Sequence, residues 1–304
     1  MKRIENISIL GMGALGVLYG NHLAHALGFD HVTYIMDEKR YEKYKEAPVY
    51  CNEEELHFQC LTASDAAPAD LLIVAVKGTG LEDALDIMGK SIGPDTVILS
   101  VMNGISSEEL IGERYGTEHL IYTVAQGMDA MKFGSRLTYT KMGILVIGAR
   151  EEFQKQNLER VCELFDRTQL PYRKEDDIMH RLWSKFMLNV GVNQTCMVYS
   201  CTYSDVWREG KERDTMLGAM REVIAVANAE DIDLSEADLE EYDQIIRTLR
   251  PDGTPSMGQD RIAGKHSEVE MFAGTIIALG QKHHIPTPVN QWLYDQVKEI
   301  EKDY

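Results

Sequence analysis

Lys185, Asn189 and Asn193 stand four residues apart in the run Leu182-Trp-Ser-Lys-Phe-Met-Leu-Asn-Val-Gly-Val-Asn193. Each residue of an α-helix turns about 100°, so a step of four rotates a side chain by only about 40°. One ammonium and two amides therefore share a polar stripe, while Trp183, Phe186, Met187, Leu188, Val190 and Val192 make the rest of the segment apolar. A lysine buried without a partner is costly. Such a stripe suits a 2-keto acid, because an ammonium can meet a carbonyl oxygen or a carboxylate while amides orient it. The plainer alternative is a lysine that lays its stem on apolar surface and keeps its head in water, beside amides that satisfy nearby carbonyls.

A second cluster follows in Pro255-Ser-Met-Gly-Gln-Asp260 and Lys265-His-Ser-Glu-Val-Glu270. Ser256 stands at the expected start of a helix and Glu268 on the helix after it. Taken alone, these residues read as a helix cap and a solvated carboxylate. The nine histidines show no metal-ligand spacing, and no metal is expected. The five cysteines, Cys51, Cys60, Cys162, Cys196 and Cys201, contain no CxxC pair, which suits a reducing cytoplasm.

The third signal is Ile7-Ser-Ile-Leu-Gly-Met-Gly-Ala-Leu-Gly16, an apolar strand running into Gly11-x-Gly13-x-x-Gly16. In a dinucleotide-binding turn the first glycine permits the tight bend and the second lets backbone approach a pyrophosphate. The third lets the helix pack on the strand, with its unpaired N–H groups facing the phosphates. A glycine-rich turn that binds nothing is the alternative.

These residues need a frame. Apolar runs at Ile7–Leu10, His31–Met36, Leu71–Val76, Thr96–Val101, Leu120–Ala125 and Ile144–Ile147 alternate with helix-like stretches such as Val17–Leu27 and 151–168. That alternation predicts an α/β, doubly wound parallel sheet of the Rossmann type. Ligands of such sheets bind beyond the carboxyl ends of the strands, where Lys77 and the Asn103-Gly104 turn fall. Pro171-Tyr172-Arg173 marks the junction, and from Asp176 onward the chain reads as almost all helix. The expected domains are 1–172, dinucleotide-binding, and 173–304, all-helical and substrate-binding, with the active site in the cleft between them.

Bulk properties exclude several functions. A formal charge of −18 over 304 residues repels nucleic acid and anionic membrane surfaces. No apolar stretch approaches the roughly 20 residues of a membrane-spanning helix. Lys2 and Arg3 before an apolar run give Met1–Leu15 a superficial likeness to a leader peptide, but glycines interrupt it and it reads as the first strand.

Together these segments resemble the ketopantoate reductases (2-dehydropantoate 2-reductases) over essentially the whole chain. The likeness rests on GxGAxG at Gly11–Gly16, the Val-Lys77 strand end, Asn103-Gly104, Leu-Trp-x-Lys185-x-x-x-Asn189-x-x-x-Asn193, and Ser256-Met-x-Gln-Asp260 leading to Glu268. It implies a cofactor lying along Gly11, Met12, Gly13, Ala14, Leu15 and Gly16, with Lys77, Asn103, Ala130 and Glu268 contributing contacts. It implies Lys185 as the proton donor, with Asn189, Asn193 and Ser256 holding a small 2-oxo acid. A homodimer is left open. Two positions depart from the pattern. Asp37 stands where the family commonly has an arginine for the 2′-phosphate of NADP; an acid there is the mark of NAD, unless Lys39 or Arg40 folds back to neutralise it. Tyr203 replaces a small amide and is expected to line the outer wall of the substrate pocket. NADP with NAD as the alternative, and ketopantoate with branched or aromatic 2-keto acids as the alternative, are the resulting expectations. A nucleotide-sensing module without turnover is a third reading, against which the Lys-Asn-Asn stripe counts.

Overall fold

The computed structural model describes residues 2–304; Met1, part of the leader-like segment, lies outside the described residues. Two compact units make up the chain, one of residues 1–103 and 107–178, the other of 104–106 and 179–304.

The first unit is built on an eight-stranded sheet in the order β12-β11-β8-β7-β6-β1-β2-β5. Its strands are β1 (Ile7–Leu10), β2 (Val32–Met36), β5 (Gln59–Thr62), β6 (Leu71–Val74), β7 (Val97–Ser100), β8 (Leu120–Gln126), β11 (Ile144–Gly148) and β12 (Tyr172–Lys174). All six predicted strands are present, the first with the same ends and the others with an end shifted by at most two residues. β1, β6 and β7 are buried along their whole length, as strands covered on both faces must be. The helices Ala14–Leu27, Leu81–Met88 and Ser107–Tyr115 supply the crossovers that parallel pairing demands.

The sheet is not parallel throughout. β11 runs antiparallel to β8, with Val146 opposite Val124, because the chain between them turns back through a short hairpin rather than a crossover helix. That hairpin, β9 (Met131–Phe133) with β10 (Arg136–Thr138), joins β3 (Val49–Cys51) and β4 (Glu54–Leu56) in a separate four-stranded sheet that the sequence did not announce. Residues 173–178, expected in the helical part, belong to the first unit, because β12 pairs in parallel with β11.

The second unit is helical. Its longest helix, Lys211–Ala229, buries Met216, Ala219, Met220, Val223, Val226 and Ala227. The helix Pro288–Ile300 begins with proline at its first position, where the missing N–H would have no partner in the helix anyway. The Glu222 carboxylate on the long helix accepts from the backbone N–H groups of Val289 (2.7 Å) and Asn290 (2.9 Å), capping that start. No helix of the described residues is long and apolar enough to cross a membrane.

Candidate active site

The carboxyl ends of β1, β6 and β7 lie level in register, Leu10 beside Val74 and Val74 beside Ser100. Beyond them come the glycine turn, Lys77 and Asn103. Gly11 has φ +101°, and a Cβ there would lie 2.4 Å from the carbonyl oxygen of Ala75. A Cβ on Gly16 would meet the Gly11 carbonyl oxygen at 2.0 Å. Both glycines are therefore required by the fold itself. Gly13 differs. Its φ of −72° suits any residue, and a Cβ would find only the Ala75 oxygen at 3.6 Å, an ordinary contact. The space beside it opens at the start of the fourteen-residue helix Ala14–Leu27, which no side chain caps. Met12, Ala14 and Leu15 flank this start half-buried. Unsatisfied N–H groups and bare backbone at a helix N-terminus fit a pyrophosphate.

Asp37 follows β2. Its Oδ1 accepts from the backbone N–H of Arg40 at 2.8 Å, capping the helix Glu38–Tyr44, and Arg40 Nη1 lies 3.1 Å from its Oδ2. The carboxylate is thus a cap and an ion-pair partner, and Arg40 has folded back upon it. Lys77 is exposed at the backbone start of a short 3₁₀ turn, Gly78–Gly80. Asn103 is half-buried and precedes Gly104, whose φ of +96° makes the turn. Ala130 is half-buried between β8 and β9, beside Asp129, whose Oδ1 accepts from the backbone N–H groups of Thr140 (2.8 Å) and Lys141 (2.7 Å).

In the second unit the polar stripe is not one continuous α-helix. The helix Ile178–Leu188 carries Lys185, but Asn189–Asn193 is a π-helical turn, and α-helix resumes over Gln194–Tyr199. A π turn closes its hydrogen bonds over five residues and occurs often at functional sites. The wider turn changes the rotation and rise between Asn189 and Asn193 relative to α-helical spacing. Lys185 is half-buried at the edge of this segment, whereas Asn189 and Asn193 are buried. Asn193 Nδ2 donates to Ser256 Oγ at 3.5 Å, a long bond that joins the two motifs. The Nδ2 of Asn189 is buried and meets no acceptor among the described residues. Such a donor costs about 1–3 kcal/mol.

Ser256 begins the helix Ser256–Ile262 and is exposed, with Pro255 at the cap position. Glu268 does not lie on the next helix as expected. It sits in the bend before a second π turn, Glu270–Gly274, and its carbonyl oxygen accepts from Met271 N at 3.0 Å and Phe272 N at 3.2 Å. Just before it, Glu301 Oε1 accepts from the backbone N–H of Ser267 at 2.7 Å and from its hydroxyl at 2.6 Å. Tyr203 opens the helix Tyr203–Trp207, and its backbone N–H donates to the Gly253 carbonyl at 3.0 Å. Its ring lies against Gly253, where a Cβ would sit 3.2 Å from Cδ2 and Cε2, so it backs the turn that leads into Ser256. Burial pushes its hydroxyl up to about 12. Sequence reasoning passed over Gln194, although an uncharged polar side chain beside Asn193 in an apolar run was a signal. Among the described residues no group of three or more His, Cys, Asp and Glu is arranged to hold a metal ion.

Two family models cover most of the chain: "Ketopantoate reductase PanE/ApbA" matches residues 7–152, and "Ketopantoate reductase PanE/ApbA C terminal" matches residues 177–301. The chain belongs to the ketopantoate reductase family. It is 28% identical to the 2-dehydropantoate 2-reductase of Pyrococcus horikoshii, with 97% of each chain covered. It is 26% identical to that of Vibrio cholerae serotype O1, covering 98% of this chain and 99% of the other. Its fold is also that of D-mandelate dehydrogenase in a ternary structure with NADH and anilino(oxo)acetate, at a TM-score of 0.86, 21% identity and 98% coverage of both chains. Ketopantoate reductase family members are NAD(P)H-dependent oxidoreductases acting on 2-keto acids, and this protein is an enzyme of that class with a Rossmann-type dinucleotide-binding domain.

Proposed function

We propose that this protein reduces ketopantoate to pantoate, with NADPH as the preferred cofactor. The observation that carries the reading is the buried, unmatched amide donor of Asn189, one turn beyond Lys185 and beside the Asn193–Ser256 contact. A substrate oxygen is the partner that such a donor lacks. In this reading Gly11, Met12, Gly13, Ala14, Leu15 and Gly16 hold the pyrophosphate, and Lys77, Asn103, Ala130 and Glu268 add contacts. When bound, the reduced nicotinamide supplies a hydride to the carbonyl carbon. Lys185 Nζ stabilises the charge that develops on the carbonyl oxygen and gives it a proton, leaving a 2-hydroxy acid and a neutral amine that regains its proton from water. Asn189, Asn193 and Ser256 hold and orient the substrate, and Tyr203 shapes its wall through the turn at Gly253.

The Asp37–Arg40 pair supports NADPH. Arg40 offsets the carboxylate that would otherwise repel a 2′-phosphate, and an exposed pair worth at most about 1 kcal/mol yields readily to a phosphate. The second reading is a D-2-hydroxyacid dehydrogenase taking branched or aromatic 2-keto acids with NADH. Asp37 itself, the bulk of Tyr203 and the likeness to D-mandelate dehydrogenase favour it.

Steady-state kcat/KM on ketopantoate and on 2-ketoisocaproate, each with NADPH and NADH, tests both. Ketopantoate with NADPH should be turned over best, and Lys39→Ala combined with Arg40→Ala should raise the KM for NADPH about tenfold while sparing NADH. Preference for 2-ketoisocaproate with NADH would establish the second reading instead. Nucleotide binding without turnover of any 2-keto acid would overturn both.

A further inference from the structure

Gln194 is fully buried at the junction of the two π turns, and all of its polar capacity faces them or their support. The second turn shows why a partner is needed. Gly274 N bonds the Val269 carbonyl at 3.0 Å, a five-residue closure that takes the acceptor Ala273 N–H would use in an α-helix. A buried backbone N–H must be paired. Gln194 Oε1 supplies the acceptor, 3.1 Å from Ala273 N. On its other side Gln194 Nε2 donates to the carbonyl of Val190, inside the first π turn, at 2.8 Å, and to Asn290 Oδ1 at 3.3 Å. Asn290 is in turn held by Glu222 Oε2 at 2.8 Å and the Ala219 carbonyl at 3.2 Å. The amide therefore connects the turn that carries Asn189 and Asn193, the turn that begins two residues after Glu268, and the rigid start of the last helix.

We propose that Gln194 is a positioning residue for the reduction: by bridging the two π turns it fixes the rotation of Asn189 and Asn193, and so the placement of the keto acid against Lys185. This rests on the reading of Asn189 and Asn193 as substrate ligands. An apolar side chain of the same length leaves Ala273 N–H and the Val190 carbonyl without Gln194, and the local remedy is to rewind the π turns toward α-helix. Rewinding changes the rotation and rise between Asn189 and Asn193, so that the two amides no longer keep the relative placement they have now. Gln194 touches neither substrate nor cofactor; it acts through the backbone that carries them.

Four variants test the bridge, with kinetics on ketopantoate, NADPH titration and thermal melts on the full chain. Gln194→Met should lower kcat/KM on the order of 10²-fold, with kcat down and KM for the keto acid up, as expected for a misplaced reactant. The Kd for NADPH should change far less than kcat/KM, because most of the cofactor's proposed contacts lie in the first unit. Val226→Ala, a core truncation in the helix Lys211–Ala229, should lower Tm yet keep wild-type kinetics, which separates lost stability from lost positioning. Gln194→Glu adds a pH readout. Its buried carboxyl titrates above the usual range; protonated at low pH it can both accept from Ala273 and donate to Val190, and ionised at higher pH it cannot donate. Its kcat/KM relative to wild type should therefore rise as pH falls, and this profile carries the test if Gln194→Met does not fold. A folded Gln194→Met with wild-type kinetics, or a Gln194→Glu whose ratio to wild type is flat with pH, would overturn the proposal. Asn189→Ala separates the two layers: impaired Asn189→Ala beside normal Gln194→Met sinks only the bridge, whereas normal Asn189→Ala sinks the substrate reading beneath it.

Discussion

The glycine turn of the first unit and the polar stripe of the second are made in opposite ways. In the turn, side chains are absent because neighbouring backbone leaves no room: Gly11 and Gly16 would place a Cβ within 2.4 Å and 2.0 Å of carbonyl oxygens. Geometry and sequence are there the same statement, since only one residue type fits. In the stripe, side chains are everything, and the pitch of the helix beneath them decides where they go. That pitch is held by Gln194, a residue outside the stripe. A turn specified by sterics tolerates almost no change, while a stripe specified by hydrogen bonds can be detuned without unfolding.

This contrast can be broken in three places. The largest effect is expected at Lys185. Lys185→Ala should lower kcat by about 10²–10⁴ while NADPH binding and Tm are kept, measured by turnover at saturating keto acid beside a melt and a nucleotide titration. Near-normal turnover would make Lys185 a structural lysine and leave the stripe without an acid.

A smaller effect belongs to Glu108, buried in the first unit just after the Asn103-Gly104 turn. Its Oε2 accepts from Ser107 Oγ at 2.7 Å, and Ser107 Oγ lies 2.8 Å from Ser100 Oγ at the end of β7. Burial, the dominant cause, pushes its carboxyl up to about 7, against 4.5 for an ordinary glutamate. The folded state thus favours the protonated acid. Its contribution is complete below about 4.5 and is lost as pH rises to about 7, on the order of 3 kcal/mol in all. Glu108→Gln should flatten the decline of the urea midpoint over that window. If the units unfold in separate steps, only the step of the first should respond, and an unchanged slope would refute the assignment.

The last test bears most directly on the contrast, because it lies inside the glycine turn. Gly16→Ala should cost about 3 kcal/mol of stability or more, because its Cβ would meet backbone rather than a side chain that can swing away. Gly13→Ala should leave the melt near wild type and weaken NADPH binding instead. The reverse pattern would mean that Gly13 serves the fold and that the space beside it is not a phosphate cradle.

Legibility followed the same division. Apolar runs such as Leu71–Val74 could only be strands buried on both faces, and they were found where the pattern put them. β9 and β10 escaped because three-residue strands give no periodicity, and β9 exposes Met131 and Phe133, apolar residues that a pattern reading assigns to a core. At Asp37 sequence spacing pointed to a ribose hydroxyl; that the same carboxylate also caps the helix it precedes was not read from the spacing. The stripe was legible as residues and not as geometry. Counting by fours assumes α-helical pitch, and the π turn at Asn189–Asn193 depends on bonds from Gln194, Ala273 and Asn290 that lie far apart in sequence.

β12 has a consequence for how folded copies of the chain meet. The outermost strand of a sheet offers a row of unpaired N–H and C=O groups on which another chain can build. Here that strand is three residues long and follows a proline that has no N–H to offer. Arg173 and Lys174 place charge on it, tied to Glu175 at 3.0 Å and Glu159 at 2.5 Å, while the Tyr172 hydroxyl donates to Asp166 at 2.9 Å. Glu159 and Asp166 belong to the helix Lys155–Thr168, so the border strand is fastened to a helix of its own unit. A sheet whose inner strands are almost wholly apolar is thus ill suited to further growth on this side, which disfavours edge-to-edge pairing between folded copies.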